Sequence, residues 1–544
     1  MGVSPPTQRL PRDRPPRRLR SHAVLASLLI GSGTPLLGLE PVAAAEVVEM
    51  RLDDLGIPIH IGQLEAWQRQ AGPSSSVDND LTPWLGLLDG ASRRDLARML
   101  GAPLLRERSF GRQLLDTWAG GQLMGELGNL LTTPDGRSTT PLLLKTLRKL
   151  LETRPEVSLL DVLKAMPTPQ LSLQLDDLLG LAERWRNQLI RQQRAFVALQ
   201  ALPLPRRTLQ PITGTEPGIQ PRWLALPVEG RAEALPLRIW SPAQGRDDGG
   251  RRPWVLMMPG LGGNAEQLGW LAAALAGRGW PVVVLEHPGS DTQAVRDALA
   301  GQRRPPGAES LARRLADVEA VLLAQQQGRL PVQGAGLVLA GHSLGGVTAL
   351  LAAGVRPADG LDSRCREAMQ RLPISNPSRL LQCELADRAL PRTPPSPPDL
   401  RAVVLFNAFG SLLWPDNSLS TLAVPVLMVG GSLDLVTPAL DEQLALFLPA
   451  RDPRSRLLVV DGGSHFSPVR IGDRDDVLLH LSKEFVGVDP LRVQHVLLGF
   501  TIDFLSDVPP LQGARPLEAQ RRRQEGVTAY LLDPPMARRW RAGL

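Results

Sequence analysis

The chain of 544 residues is longer than one hydrophobic core usually organises, so we expect two domains. It carries 61 lysines and arginines against 55 aspartates and glutamates, a net charge of +6. Residues 9–20 hold six arginines and one aspartate, which account for +5 of this charge and leave the remainder nearly neutral. A nearly neutral body excludes the broad basic surface of a nucleic-acid-binding protein, and we expect no nucleic-acid partner.

The N-terminal segment has the pattern of a secretory signal peptide. An apolar run, Ala23 to Leu39, follows the basic residues, and Ala43 and Ala45 then fit an A-x-A cleavage site. We therefore assign residues 1–45 to a signal and expect a periplasmic or secreted protein. An N-terminal membrane anchor is the alternative, although glycine and proline interrupt the run and it is short for a span. No other stretch reaches about 18 uninterrupted apolar residues, so we expect no transmembrane segment after signal removal.

Residues 46–199 are predicted to form a mostly helical domain that begins with a small hairpin. In the hairpin, EVVEMRL alternates apolar with charged residues, and Gly56 separates it from IPIHI. Helix signals follow in order: Ser92 before RRDLARML, Thr140-Pro141 before LLLKTLRKLLE, the capping-box spacing of Ser158 and Asp161, and apolar residues at helical spacing from Leu175 toward Leu199.

A change of pattern follows a linker at residues 200–221, which is rich in proline and glycine. Short apolar runs bounded by Gly or Pro then alternate with helical stretches through residues 222–508, which is typical of strands buried on both faces of a mainly parallel sheet. Eight runs qualify as strands: WLALPV, ALPLRIW, PWVLMMPG, PVVVLEHPG, GLVLAGHS, AVVLFNAF, PVLMVGGS and RLLVVDGGSH. We treat residues 356–400 as an insertion and residues 509–544 as a C-terminal tail.

The run GLVLAGHSLGGVTAL contains the spacing G-x-S-x-G at Gly341, His342, Ser343, Leu344 and Gly345. Alone, this spacing is a weak signal. Here a buried strand leads in and a helix rich in small residues leads out, as a serine nucleophile on a sharp strand-to-helix turn requires. The two glycines permit close approach where a Cβ would clash. We therefore predict that Ser343 is a nucleophile on such an elbow.

A serine hydroxyl needs a base within hydrogen-bond reach, and that base needs an acid to orient it. The order serine, acid, histidine predicts the acid after a later strand and the histidine after the next one. Asp434 follows PVLMVGGSL and His465 follows RLLVVDGGS. Asp441 is the rival acid after the same strand, Asp461 lies too close to the histidine, and a structural helix cap is the alternative role for Asp434.

The developing oxyanion requires two donors that are already aimed at it. The backbone amide of Leu344 is predicted to be one donor, and the amide of Leu261, in the loop MMPGLGGN, the other. A plain glycine-rich turn is the alternative for this loop. We expect Glu286 and His287, at another strand end, to shape their own loop. Metal-site, P-loop and dinucleotide motifs are missing from the sequence, so we expect no metal and no cofactor.

The two cysteines, Cys365 and Cys383, are 18 residues apart. In an exported protein such a pair is a candidate disulfide. Two unpaired buried thiols are the alternative, and a metal site on these cysteines is not expected without nearby histidines.

The segments PGLGGN, VVVLEHPGS, GHSLGG, GGSLDLVTP and DGGSHF together resemble the α/β-hydrolase superfamily. Within it they look like the branch of platelet-activating-factor acetylhydrolases and predicted dienelactone hydrolases. The preceding helical region resembles a domain of unknown function found ahead of cyanobacterial α/β-hydrolases. The chain departs from these families at Pro259, where relatives often have histidine, and at Ser343, where dienelactone hydrolases have cysteine.

The resemblance implies an α/β fold of about eight mainly parallel strands, preceded by the helical domain. It also implies an exported serine hydrolase that cleaves carboxylic esters, lipid-like or short-acyl, through an acyl-enzyme. The partner is then a small-molecule or lipid ester, with peripheral contact to lipid compatible with it. A catalytically silent binding protein and an amide or thioester hydrolase are the alternatives. We also expect the insertion and the helical domain to cover an apolar acyl pocket.

Overall fold

The structure is a computed structural model that describes residues 44–69, 89–106, 113, 115–205, 219–242, 251–370, 375–388, 390–415, 418–470, 487–508 and 517–544. The segment assigned to a signal peptide lies outside these residues, apart from its last two positions. Within the described part of the chain, no helix combines the length and the apolar character needed to cross a membrane.

The N-terminal region contains both helices and strands. Its elements are β1 (Val47–Leu52), β2 (Leu55–His60), α1 (Ile61–Arg69), α2 (Gly90–Gly101), β3 (Pro103–Arg106), α3 (Trp118–Leu130), β4 (Leu131–Thr132), α4 (Thr140–Thr153), β5 (Glu156–Ser158), α5 (Leu159–Ala165), β6 (Gln170–Gln174) and α6 (Leu175–Leu199). The hairpin and the helices at 140, 158 and 175 agree with the predictions. Ser158 and Asp161 form the expected reciprocal capping box at the start of α5.

We predicted a mostly helical region with one hairpin, whereas the described residues also form a four-stranded sheet and a separate pair of strands. Four strands pair in the order β2-β1-β6-β4, with β6 parallel to β1, and β3 pairs with β5 separately. The hairpin turns at Asp53 rather than at Gly56, which lies inside β2 opposite Arg51. Ile61, Leu147, Val157, Met166 and Leu171 are among the buried side chains of a core that belongs to this region alone. The region therefore has its own α+β core.

Ten strands form the central sheet within the described residues, two more than the eight predicted. They are β7 (Arg222–Leu226), β8 (Leu235–Trp240), β9 (Trp254–Met258), β10 (Val282–Leu285), β11 (Leu337–His342), β12 (Leu400–Phe406), β13 (Val426–Gly431), β14 (Arg456–Val460), β15 (Gln520–Gln524) and β16 (Val527–Leu532). Their spatial order is β15-β16-β14-β13-β12-β11-β9-β10-β8-β7. The six strands from β14 to β10 run parallel, and an antiparallel pair completes each side.

Helices cover both faces of this sheet. They are α7 (Ala265–Ala276), α8 (Thr292–Leu299), α9 (Ser310–Gln326), α10 (Leu344–Ala352), α11 (Leu361–Ala368), α12 (Ser378–Asp387), α13 (Ala445–Phe447, after a π-helical turn at Leu440–Leu444), α14 (Pro490–Ser506) and α15 (Pro534–Ala542), with a 3-10 turn at Ser418–Thr421. Successive residues of β9 alternate between two cores: Trp254, Leu256 and Met258 pack on one face, Val255 and Met257 on the other. Burial on both faces explains why the strands read as continuous apolar runs.

The C-terminal segment is part of the fold. We expected residues 509–544 to be a tail, whereas from residue 517 they add β15, β16 and α15 to the sheet domain. The indole Nε1 of Trp540 donates to the Ala195 carbonyl at 2.9 Å, and its ring lies 5.9 Å from that of Phe196. The end of the chain thus holds α6 of the N-terminal region against the sheet domain.

The insertion at 356–400 contains α11 and α12, and a disulfide joins Cys365 to Cys383 across them. A buried carboxylate fixes this insertion to the domain. Glu442 accepts hydrogen bonds from Asn376, Ser378 and Gln382 of the insertion, and from the main-chain amides of Gly410 and Ser411 after β12. The Ser411 hydroxyl is a sixth donor. These donors satisfy the carboxylate away from solvent.

Candidate active site

Ser343 stands on a sharp turn between β11 and α10. Its backbone has φ 53° and ψ −120°, a region that residues with a side chain rarely adopt. A Cβ at Gly341 would overlap the Gly345 carbonyl, and a Cβ at Gly345 would overlap the Met258 carbonyl of β9. The two glycines therefore let the turn close and let α10 approach the neighbouring strand, as the spacing predicts.

The structure brings Ser343, His465 and Asp434 together at the carboxyl edge of the parallel strands. His465 Nε2 lies 3.0 Å from Ser343 Oγ, and His465 Nδ1 lies 3.0 Å from Asp434 Oδ2. The three residues are 8%, 5% and 0% exposed. Because the carboxylate can only accept, Nδ1 carries the proton toward Asp434 and Nε2 faces the hydroxyl as an acceptor. This is the relationship of a nucleophile, a base and an orienting acid.

Asp434 is held by donors that the sequence analysis did not identify. Asn407 Nδ2 donates to its Oδ2 at 2.7 Å, and the Thr437 hydroxyl donates to the same oxygen at 2.6 Å. The amides of Val436 and Thr437 donate to Oδ1. Burial by itself would raise the pKa of Asp434, but the interaction with the His465 ring and the hydrogen bonds from Thr437 outweigh burial and hold the pKa below its usual value. Asp434 is therefore a carboxylate at neutral pH.

The two predicted oxyanion donors lie beside the serine. Leu344 follows it at the first position of α10, and Leu261 lines the same cavity as Ser343. Neither amide donates to another described residue of the chain. Gly260 is so close that a Cβ there would lie 3.2 Å from the Ser343 Cβ. An oxyanion hole requires amides that are not already used by the chain, and the role of Leu261 and Leu344 as its donors stays a prediction.

His342, the residue before Ser343, contacts the backbone of His465. Its Nε2 lies 2.9 Å from the main-chain carbonyl oxygen of His465. Burial lowers the pKa of His342 to about 3, so the ring is neutral and Nε2 donates its proton to that carbonyl. His342 therefore anchors the backbone of the residue that faces Ser343.

A cavity of about 110 Å³ opens at Ser343. Apolar side chains supply much of its wall, among them Leu261, Val295, Phe466 and Val469. The described residues that line it come from the loops after β9 and β14, from the end of β11 with the turn that follows it, and from the helices α7 and α8. None of these described lining residues comes from the insertion or the N-terminal region, and the cover that we expected from those segments stays a prediction.

The rival residues have other roles. Asp441 pairs with Arg191 of α6 at 2.7 Å, and Asp461 accepts from the Ser432 hydroxyl. Glu286 accepts from the amide of Ala265 at the start of α7. His287 Nδ1, in the loop after β10, lies 2.9 Å from Asp317 Oδ2 of α9. The contacts of Glu286 and His287 connect the loop after β10 to α7 and α9, and a role of these residues in shaping their own loop stays a prediction.

Three residues of the site carry no sequence signal of their own: Asn407, Thr437 and Arg314. Asn407 follows β12, a strand that the predicted order of serine, acid and histidine passes over. Thr437 is three residues after Asp434. Arg314 lies on α9 and donates to the carbonyls of Pro259 and Gly260 in the loop after β9, which are 55 and 54 residues away in sequence. Among the described residues, no group of three or more His, Cys, Asp or Glu side chains is placed to hold a metal ion.

Two family models match separate segments of the chain. Residues 44–174 match the model described as an alpha/beta hydrolase of unknown function (DUF1400), and residues 255–479 match the model described as the alpha/beta hydrolase family. A comparison with curated proteins finds no significant match. The second segment spans Ser343, Asp434 and His465 and the parallel strands that carry them. The topology of the sheet and these two matches together show that the chain contains alpha/beta hydrolase domains.

Proposed function

We propose that the protein is a serine hydrolase that cleaves carboxylic esters. The observation that carries this proposal is the unbroken hydrogen-bond sequence from Ser343 Oγ through the His465 ring to Asp434, at the mouth of a cavity. A hydroxyl in contact with an oriented imidazole is the arrangement that makes serine nucleophilic at neutral pH.

The reaction proceeds in two halves. Ser343 Oγ attacks the acyl carbon while His465 Nε2 takes the hydroxyl proton, and the amides of Leu261 and Leu344 hold the resulting oxyanion. The C–O bond to the alcohol then breaks, and the alcohol leaves with the proton from His465. Water attacks the acyl-enzyme with His465 as base, which releases the acid and restores the serine. Asp434 holds the imidazole and stabilises its charged form throughout.

The cavity favours the short-acyl part of the predicted substrate range. It is smaller than the roughly 150 Å³ apolar cavity that accommodates benzene. Leu261, Val295, Phe466 and Val469 give its wall an apolar character that suits an uncharged acyl chain of a few carbons. A short acyl group on a lipid-like alcohol would fit this cavity, in keeping with the resemblance to platelet-activating-factor acetylhydrolases.

The test is a substrate screen with purified protein. Nitrophenyl esters of increasing acyl length are compared with amide and thioester analogues, with Ser343→Ala and with Ser363→Ala, an exposed serine of α11 remote from the site. We expect ester hydrolysis that declines with acyl length, is lost in Ser343→Ala and is unchanged in Ser363→Ala. A preference for amides or thioesters, or equal rates in Ser343→Ala, would contradict the proposal.

We further propose that the protein is exported to the periplasm or secreted. The basic and apolar N-terminal segment supports this, and so does the disulfide between Cys365 and Cys383, because structural disulfides persist in oxidising compartments. Fractionation of the source cells and N-terminal sequencing of the recovered protein test it. Recovery of reduced, full-length protein from the cytosol would contradict it, while a full-length chain held in the membrane would favour the anchor.

A further inference from the structure

Arg314 is a buried arginine that contacts the oxyanion loop and none of the three triad side chains. It lies on α9 and is 1% exposed. Its guanidinium donates to the carbonyl of Pro259 at 2.8 Å, to the carbonyl of Gly260 at 2.8 Å and to the hydroxyl of Ser290 at 2.9 Å. A longer bond, 3.3 Å, reaches the Ser290 carbonyl. The arginine thus joins the loop after β9 to the loop after β10.

The bond to Gly260 bears directly on the predicted oxyanion donor. The Gly260 carbonyl and the Leu261 N–H belong to one planar trans peptide, in which the two groups point in opposite directions. Holding the carbonyl toward Arg314 therefore aims the Leu261 N–H away from the arginine. Because Gly260, Leu261 and Ser343 line one cavity, the arginine holds this peptide from the side remote from the substrate.

The charge of Arg314 acts in the same direction. Burial lowers the pKa of the guanidinium to about 9, opposed by the charges of Asp317 and Asp291, so it is still protonated at neutral pH. Asp317 itself is paired with His287 and Arg231. A cation behind a peptide polarises its N–H and favours negative charge on the far side.

We propose that Arg314 is a positioning residue of the oxyanion hole, which fixes and polarises the Gly260–Leu261 peptide so that its N–H meets the oxyanion formed at Ser343. The inference rests on the proposed hydrolase function. Removing Arg314 should therefore reduce the stabilisation of the transition state and leave the binding of the ester in the ground state nearly unchanged.

The experiment compares the full-length parent with Arg314→Met, Arg314→Lys and a matched control, Arg456→Met. Arg456 is also buried and also donates to main-chain carbonyls, those of Pro453, Ser455 and Leu517. It is the first residue of β14 and so lies at the amino end of the strand, whereas the site lies at the carboxyl ends. Three quantities are measured: kcat and KM for the best ester, the dissociation constant of a boronic acid that forms a tetrahedral adduct with the serine, and the unfolding temperature.

For Arg314→Met we expect kcat to fall by about 10-fold to 100-fold with KM within about twofold, and boronate affinity to fall in parallel. Lysine keeps the charge but cannot hold both carbonyls, so Arg314→Lys should lose about 3-fold to 10-fold. If Arg314→Met does not fold, the kinetics of Arg314→Lys decide the question. Arg456→Met should lower the unfolding temperature and leave kcat and boronate affinity unchanged.

Unchanged kcat and boronate affinity in either Arg314 variant would overturn the inference. Equal losses in Arg314→Met and Arg456→Met would also overturn it, because they would report general destabilisation. Suppose that the parent is active, that Ser343→Ala is inactive and that the Arg314 variants keep the parent rate. In that case the role of Arg314 is wrong and the proposed function stands. If the parent neither hydrolyses esters nor binds the boronate, the proposed function falls and the inference falls with it.

Discussion

The imidazole of His342 donates to the main-chain carbonyl of His465, with 2.9 Å between Nε2 and O. The two rings are 5.0 Å apart. The residue immediately before the proposed nucleophile therefore fixes the backbone of the proposed base. This bond fixes the position of the His465 backbone relative to Ser343, and His342 also lines the cavity at the serine.

Replacing His342 tests that positioning. His342→Phe keeps an aromatic ring of similar bulk and removes the donor, and we expect kcat to fall about tenfold, near the worth of one hydrogen bond to a buried acceptor. His342→Gln retains a donor and should lose less. Steady-state kinetics on the best ester measure both variants. Full activity in His342→Phe would show that the His465 backbone needs no such anchor.

The two aspartates after β13 provide a matched pair. Asp434 bonds the His465 ring, whereas Asp441, seven residues later, pairs with Arg191. Asp434→Asn should lower kcat by about 10³-fold to 10⁴-fold, since the imidazole loses the partner that fixes its tautomer. Asp441→Asn should leave kcat within about twofold. Kinetics of both variants decide between the two acids, and the reverse ranking would make Asp441 the orienting residue.

Glu442 should matter for stability. Its carboxylate accepts six hydrogen bonds while fully buried, and the amide of Glu442→Gln would present its NH₂ group to donors. We expect the free energy of unfolding to fall by about 3 kcal/mol or more. Denaturant titration measures the change, with Glu319→Gln on the exposed face of α9 as the control. A change below about 0.5 kcal/mol, typical of surface sites, would contradict this role.

Stability should also depend on pH through the buried histidines. Burial and the charge of Arg314 lower the pKa of His287 to about 4, and burial lowers the pKa of His342 to about 3. Histidine in an unfolded chain titrates at about pH 6.5. Below this pH the unfolded chain therefore binds more protons at these two positions than the folded protein does. The free energy of unfolding should therefore fall with decreasing pH, from about pH 6.5 down to about pH 4 for His287, by up to about 1.4 kcal/mol per pH unit for each histidine.

Denaturant titrations at several pH values test this slope. His287→Gln should flatten part of it, because it removes one of the two buried rings whose pKa values are lowered. If His287→Gln keeps the full slope between pH 6.5 and 4, the ring is not held neutral by its surroundings.

The strands that carry the site were predictable because burial on both faces leaves a continuous apolar run, and glycine or proline marks where each run ends. The order of serine, acid and histidine could then be read directly. The outer strand β15 was not predicted because its sequence, QRRRQ, is polar. Its residue Arg522 lies over the Phe500 ring at 3.9 Å and pairs with Asp503. Such amphipathic burial leaves no apolar pattern in the sequence.

Residues that act through tertiary contact were not predictable from local sequence. Asn407 and Arg314 reach the site from a strand end and a helix that carry no motif, and only the folded sheet brings them to Asp434 and Gly260. The short strands β4 and β6 were missed for a related reason: each directly adjoins a helix, and the helical pattern dominates the local sequence.

Covalent labelling by a fluorophosphonate, mapped by peptide mass spectrometry, identifies the nucleophilic residue of the protein. If Ser343 is the nucleophile and His465 its base, we expect one adduct on Ser343, which forms more slowly with a short-acyl ester present and is strongly reduced in His465→Ala. An adduct on another residue, or none on Ser343 in protein that hydrolyses esters, would contradict it.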